Sequence, residues 1–74
     1  MSDLKFEIIQ NIACIGEEKG GWVKELNLVS WNGNTPKYGI RAWSEDHTKM
    51  GKGITLTATE LASLKDVLRE LTIE

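Results

Sequence analysis

Thr57 and Glu60 stand three residues apart, directly ahead of Leu61, Leu64, Leu68 and Leu71. The pair has the form of a capping box, in which each side chain satisfies a backbone N–H that a helix start leaves unpaired. The leucines recur at intervals of three, four and three. That spacing predicts a helix over 58–71 with one narrow apolar stripe, flanked by Ala62, Lys65 and Arg69. A helix of this kind cannot bury its leucines against itself. They must cover a sheet, meet a partner helix, or do both, so the rest of the chain has to supply the other surface.

Upstream the apolar period changes from helical to alternating. Phe6, Ile8, Ile12 and Cys14 stand at even spacing with Lys5, Glu7 and Asn11 between them, which predicts a half-buried first strand with Cys14 on its core face; Ile9 and Ile15 break the pattern. "GEEKGG" from Gly16 to Gly21 is a turn. The next run, "WVKELNLVSW", sets Trp22, Lys24, Leu26, Leu28 and Ser30 on one side and Val23, Glu25, Asn27, Val29 and Trp31 on the other, and neither side is cleanly apolar. "NGNTP" from Asn32 to Pro36 signals a tight hairpin, because Asn-Gly accepts the left-handed backbone such a turn demands. In the following strand Tyr38, Ile40 and Ala42 alternate with Lys37, Gly39, Arg41 and Trp43. The first set is expected in the core. The second, Trp43 included, is expected on the open face. "SEDHTKMGKG" then reads as a loop carrying Lys49 and Lys52, and "GITLT" as a short fourth strand with Ile54 and Leu56 facing inward.

Size now matters. A single domain of 74 residues buries only about 60–65% of the surface its unfolded chain exposes. One cysteine cannot form an internal disulfide, and one cysteine with one histidine cannot build a structural zinc site. Oligomerisation is the remaining supplement, and a homodimer is expected. The cysteine usage suits a reducing compartment, and no apolar run reaches the roughly 20 residues of a membrane helix or forms a signal-peptide core, so the expected location is cytoplasmic.

The net charge of −2 argues at first against a polyanionic partner, but the charges are segregated. Residues 1–18 sum to −3 and residues 53–74 to −2, whereas residues 19–52 sum to +3 and contain all three tryptophans. No catalytic constellation competes for attention. His47 sits in an acidic loop beside Glu45 and Asp46 without a nucleophile or second base, and "GKG" lacks the spacing of a phosphate-binding loop. The informative set is aromatic plus basic: Trp31, Trp43, Lys37 and Arg41 lie in one hairpin. Unpaired bases stack on aromatic rings at roughly 1–3 kcal/mol each, while lysine and arginine hold the phosphates. If Trp43 were core, parity would turn Arg41 and Lys37 inward with it, at several kcal/mol per unpaired charge. The open face is therefore assigned to Trp43.

The stretch "YGIRAWSEDHTKMGKGITLTATELASL" resembles the positive cofactor 4 transcriptional coactivators, and in particular their short bacterial members. It shows an Ile-Arg strand ending in an aromatic, an acidic-then-basic loop, a Lys-Gly-Ile-Thr-Leu strand and a capped helix. With "KELNLVSWN" the resemblance covers roughly residues 20–70. It implies an α+β fold, four antiparallel strands in a curved sheet followed by one C-terminal helix. It also implies a homodimer joined partly through the helices and sequence-tolerant binding of single-stranded DNA. By position, the base-stacking aromatics fall on Trp31 and Trp43, the strand arginine on Arg41 and the loop lysines on Lys49 and Lys52, with Trp22 and Lys24 at a basic position of the preceding strand. The family's basic hairpin turn is here the uncharged "NGNTP", and the sequence shows no Ser- and Lys-rich tail.

The expectation is thus a non-enzymatic module without cofactor, metal or small-molecule substrate, not associated with membranes. It binds single-stranded DNA or RNA through Trp22, Lys24, Trp31, Lys37, Arg41, Trp43, Lys49 and Lys52, and dimerises through Leu61, Leu64, Leu68 and Leu71. The alternative is a small dimeric domain that docks a protein on its aromatic patch.

Overall fold

The structure, a computed structural model, describes residues 5–73; Asp3 and Glu74, which entered the charge sums above, lie outside the described residues. Strands β1 (Phe6–Glu17), β2 (Val23–Trp31), β3 (Lys37–Trp43) and β4 (Met50–Leu56) form one antiparallel sheet in sequence order, followed by helix α1 (Ala58–Glu70). The capping box is formed: Glu60 N–H donates to Thr57 Oγ1 at 3.1 Å and Thr57 N–H donates to Glu60 Oε1 at 2.9 Å. The β2–β3 turn takes left-handed backbone at Asn32 (φ 52°) and Gly33 (φ 76°), as Asn-Gly allows. Lys5 and Asn32 exchange two hydrogen bonds, which ties the start of β1 to this turn.

Register fixes the faces. Glu25 lies opposite Arg41, Asn27 opposite Gly39 and Val23 opposite Trp43, while Leu26 lies opposite Ile40 and Lys24 opposite Ala42. The helix sits on the even-numbered side: Leu61, Leu64 and Leu68 share an apolar groove with Ile15, Leu26 and Ile40. Helix and sheet thus meet as the leucine stripe requires.

Three expectations are corrected. First, β1 is not a regularly alternating strand. Its register slips at Ile9, Ile12 and Ile15, which have no partner on β2, so Ile9 and Ile15, which broke the alternation, are bulges, and so is Ile12, which fitted it. Ile12 is therefore exposed, as is Cys14, which was expected in the core. Second, β4 starts at Met50 and Lys52 lies on a strand, not in a loop, because Met50 pairs with Trp43 across a bulge. "GKG" is close strand packing: a Cβ on Gly53 would fall on the Ile40 carbonyl oxygen and on Arg41 Cβ. Third, Ile54 is half exposed although it lies opposite Ile40, since β4 is a sheet edge.

The deepest burial is found where the sequence suggested an open face. Glu25, Asn27, Val29 and Trp43 are all buried, and all belong to the odd-numbered side, away from the helix.

Candidate nucleic-acid interface

An aromatic row crosses the face opposite the helix. Phe6 of β1 meets Trp31 at 5.9 Å and Trp43 at 5.2 Å between ring centroids, and the His47 ring lies 5.8 Å from Trp43. At the far end the Arg41 guanidinium lies over the Trp31 ring, 5.0 Å from its centroid. These offsets are in the range where aromatic pairs and cation–ring contacts are attractive.

Trp43 does not lie open. It is 1% exposed, sealed by Phe6, His47 and the flanking Val23 and Met50 positions. The parity argument placed Trp43, Arg41 and Lys37 on one face correctly, but the face is not uniform. Arg41 need not point into an interior to share a side with a buried Trp. Its stem runs along Gly39, with Nε 3.9 Å from where a Cβ would stand, and its guanidinium reaches Thr55 Oγ1 at 3.2 Å and Met50 Sδ at 3.7 Å. Lys37, at the start of β3, is exposed.

On the same face as Trp43, and linked to it through His47, lies a polar cluster that the sequence did not reveal. Glu25, 7% exposed, accepts hydrogen bonds from Asn11 Nδ2 and Asn27 Nδ2 at 3.0 Å each, and its two oxygens lie 2.9 and 3.1 Å from His47 Nε2. Burial by itself raises the pKa of this carboxyl. The hydrogen bonds from Asn27, His47 and Asn11, with the charge of His47, outweigh burial and hold it below its ordinary value. His47 takes a left-handed backbone (φ 60°) to reach inward from the loop of residues 44–49. That loop is closed by Ser44 N–H donating to the Lys49 carbonyl. It is also closed by Asp46, whose carboxylate accepts from the Thr48 hydroxyl, the Thr48 N–H and the Ser44 hydroxyl and so titrates near 2. Lys49 is thereby carried on a loop anchored to β2.

The other expected residues distribute unevenly. Trp31 is half-buried and joins Arg41 directly. Trp22 is half-buried at the end of the sheet, in a cleft of about 320 Å³ with Ser44, Glu45, Asp46, Thr48 and Lys49. Lys24 lies on the helix side and pairs with Glu18 at 3.4 Å, so it does not share the face of Trp31 and Arg41. Lys52 is exposed on β4. Sequence reasoning missed Phe6, whose alternation signal marked it only as core, and Lys5, which lines a cleft with Phe6, Glu7, Ser30 and Gly33. Four buried polar atoms have no partner among the described residues: Asn27 Oδ1, Trp31 Nε1, Arg41 Nε and Trp43 Nε1. All four belong to this one face.

A curved antiparallel meander with one capped C-terminal helix and an aromatic-basic face defines a class of small sheet-based modules. The family model for Transcriptional Coactivator p15 (PC4) matches residues 18–67, and the chain belongs to that family. It is also 43% identical over 72 residues to an uncharacterized protein of Treponema pallidum (strain Nichols), covering 97% of this chain and 85% of the relative. Among the described residues no helix is long and apolar enough to cross a membrane, and no group of three or more His, Cys, Asp or Glu side chains is placed to hold a metal ion.

Proposed function

We propose that this protein is a non-enzymatic, homodimeric module that binds single-stranded nucleic acid, DNA in the first place, with little sequence preference and in the service of transcription. The observation that carries the reading is the Arg41–Trp31 pair. A cation without a carboxylate partner among the described residues lies on a half-open indole, on the sheet face that the helix leaves free. Membership in a transcriptional coactivator family supports it. In this proposal bases stack at Trp31, and Lys37, Arg41, Lys49 and Lys52 hold phosphates. Trp43 is the floor that fixes the shape of the face, and Trp22 offers a second ring at the sheet end.

Homodimerisation is supported by what the monomer leaves uncovered. Val29, Ala42 and Trp43 are the buried apolar residues among those described, whereas Ile9, Ile15, Val67, Leu68, Leu71 and Ile73 are 47–77% exposed. A core that small calls for a supplement. Leu61 and Leu64, half-buried, cover the sheet, which leaves Leu68 and Leu71 for a second copy.

The test is titration of Trp fluorescence with oligo-dT at low salt. Quenching should follow binding, and Trp31→Ala should lose about 1–3 kcal/mol, the worth of one stacked base. Duplex DNA should bind weakly, because its bases are already stacked on one another. Absence of quenching, or an undiminished affinity in Trp31→Ala, ends the proposal. Binding that persists in high salt and resists heparin would instead favour docking of a protein partner.

A further inference from the structure

We infer that Arg41 is a placeholder: its guanidinium occupies, in the free protein, the stacking position on Trp31 that a base takes in the complex, and binding exchanges the two. The inference rests on the reading that this face binds single-stranded nucleic acid. Three observations carry it. The guanidinium carbon lies over the ring, 5.0 Å from its centroid, so a planar cation occupies space on one side of the indole where a base would stack. Phe6 stands 5.9 Å away at a 47° tilt, so it does not offer a parallel slot of its own. The ties that hold Arg41 are weak: a hydroxyl at 3.2 Å, a thioether sulfur at 3.7 Å and, among the described residues, no carboxylate. Its Nε is buried without a partner, which an outward swing to a phosphate would correct.

The arginine stem lies along Gly39, with Nε 3.9 Å from where a Cβ would stand. The exchange costs little, because a cation–ring contact at a partly exposed site is worth about a two- to fivefold factor in affinity, and a stacked base returns at least as much. What the strand gains is an arginine released next to the backbone of the nucleotide that displaced it. The placeholder also keeps the ring covered until a polyanion draws the cation away, so stacking and phosphate capture become one coupled step.

The coupling predicts a crossing. Arg41→Met keeps a long apolar side chain but removes both the phosphate contact and the cover. Affinity for fluorescein-labelled oligo-dT is measured over a salt series for both proteins. The plot of log affinity against log salt should be shallower for Arg41→Met by about 0.7, one phosphate fewer. The two lines should cross, with the variant about two- to fivefold tighter at the highest salt, where only stacking remains and no guanidinium must be displaced. In a Trp22→Phe background the free Arg41→Met protein should also show increased acrylamide quenching, reporting an uncovered Trp31. Arg41→Gln, which keeps a donor for Thr55, repeats the series if the Met variant does not fold. A variant weaker than the parent at every salt concentration, or acrylamide quenching unchanged in the free protein, overturns the placeholder while leaving nucleic-acid binding intact. A parent protein that fails to bind oligo-dT overturns both.

Discussion

Replacing Glu25 by alanine should remove a large part of the stability of this fold, and the loss can be built up from the contacts. The carboxylate serves Asn11, Asn27 and His47 at once. Asn11 is exposed and His47 half-exposed, so both can turn to water when the acceptor disappears. Asn27 cannot: it is 0% exposed, and its Oδ1 is already without a partner. Without Glu25 the whole amide is buried and unpaired, which costs about 1–3 kcal/mol. The emptied space and the loss of the loop anchor bring the expected total to about 3–4 kcal/mol, in line with breaking other buried charged networks. A chain of 74 residues has about 4–11 kcal/mol in all. The melting temperature should therefore fall by roughly 12–32 °C. Glu25→Gln keeps an acceptor in place of Oε1 but turns charge-assisted bonds into neutral ones, and should lose about half as much. Urea unfolding followed by Trp emission measures both, since Trp43 reports entry of water into this cluster. A loss below about 1 kcal/mol for Glu25→Ala, or equal losses for the two variants, would refute the claim that a buried, charged acceptor organises this face.

The same cluster sets an acid limit. The Glu25 carboxyl titrates lower in the folded chain than its ordinary 4.5, so its contribution is complete above that value and drains away as the pH falls below it through the folded-state value. Asp46, shifted from 3.8 to about 2, adds a second loss that begins only below 3.8. Melting temperatures across this range should fall in wild type, and Glu25→Gln should lack the earlier part of the fall. Gly53→Ala should cost more than about 2 kcal/mol in chemical denaturation, because the new methyl overlaps the backbone of β3 and forces the two strands apart; a neutral result would show that the edge strand gives way freely. Leu68 is 48% exposed, and if it joins the proposed dimer, Leu68→Glu should lower the mass in sedimentation without loss of the helix by circular dichroism. An unchanged mass would remove Leu68 from the interface.

Much of the fold was legible because local signals agreed. The capping box, the leucine spacing and the Asn-Gly turn each depend on neighbours a few residues away, and each reappears where the sequence put it. The first strand resisted for a physical reason: three bulges advance the chain by one unpaired residue each, so a period of two cannot be followed along it. The site was legible in part. Parity assigned Arg41, Trp43 and Lys37 to one side, and register agrees. Whether a side is open, however, depends on what comes from elsewhere in the chain to cover it. Phe6, 37 positions before Trp43, and His47, from a loop that read as acidic, supply that cover. The Glu25–Asn27 pair lay on one of two sides of β2, neither of them cleanly apolar in sequence. Theirs is the more buried side, because three donors converge on one carboxylate.

That inversion bears on how the proposed function and the proposed assembly can coexist. A sheet of this size has two faces. The odd-numbered face is filled from within by Phe6, Trp43, Val29 and the Glu25 cluster, so it is shaped without help from a second chain and leaves Trp31, its arginine and Lys37 near the surface. The helix side is unfinished, with Ile15, Leu68 and Leu71 about half exposed around a groove of about 330 Å³ lined by Leu26, Ile40, Leu61 and Leu64. Apolar surface of this kind gains from a partner that is equally apolar, and a second copy of the same groove and helix end is such a partner. Nucleic acid, polar and charged along its backbone, has no reason to choose it. In this arrangement assembly and binding use opposite sides of one sheet, so a dimer would present two independent strand-binding faces. Its advantage for a long strand over a short one would then come from linking two sites at high effective concentration, not from any residue shared between them.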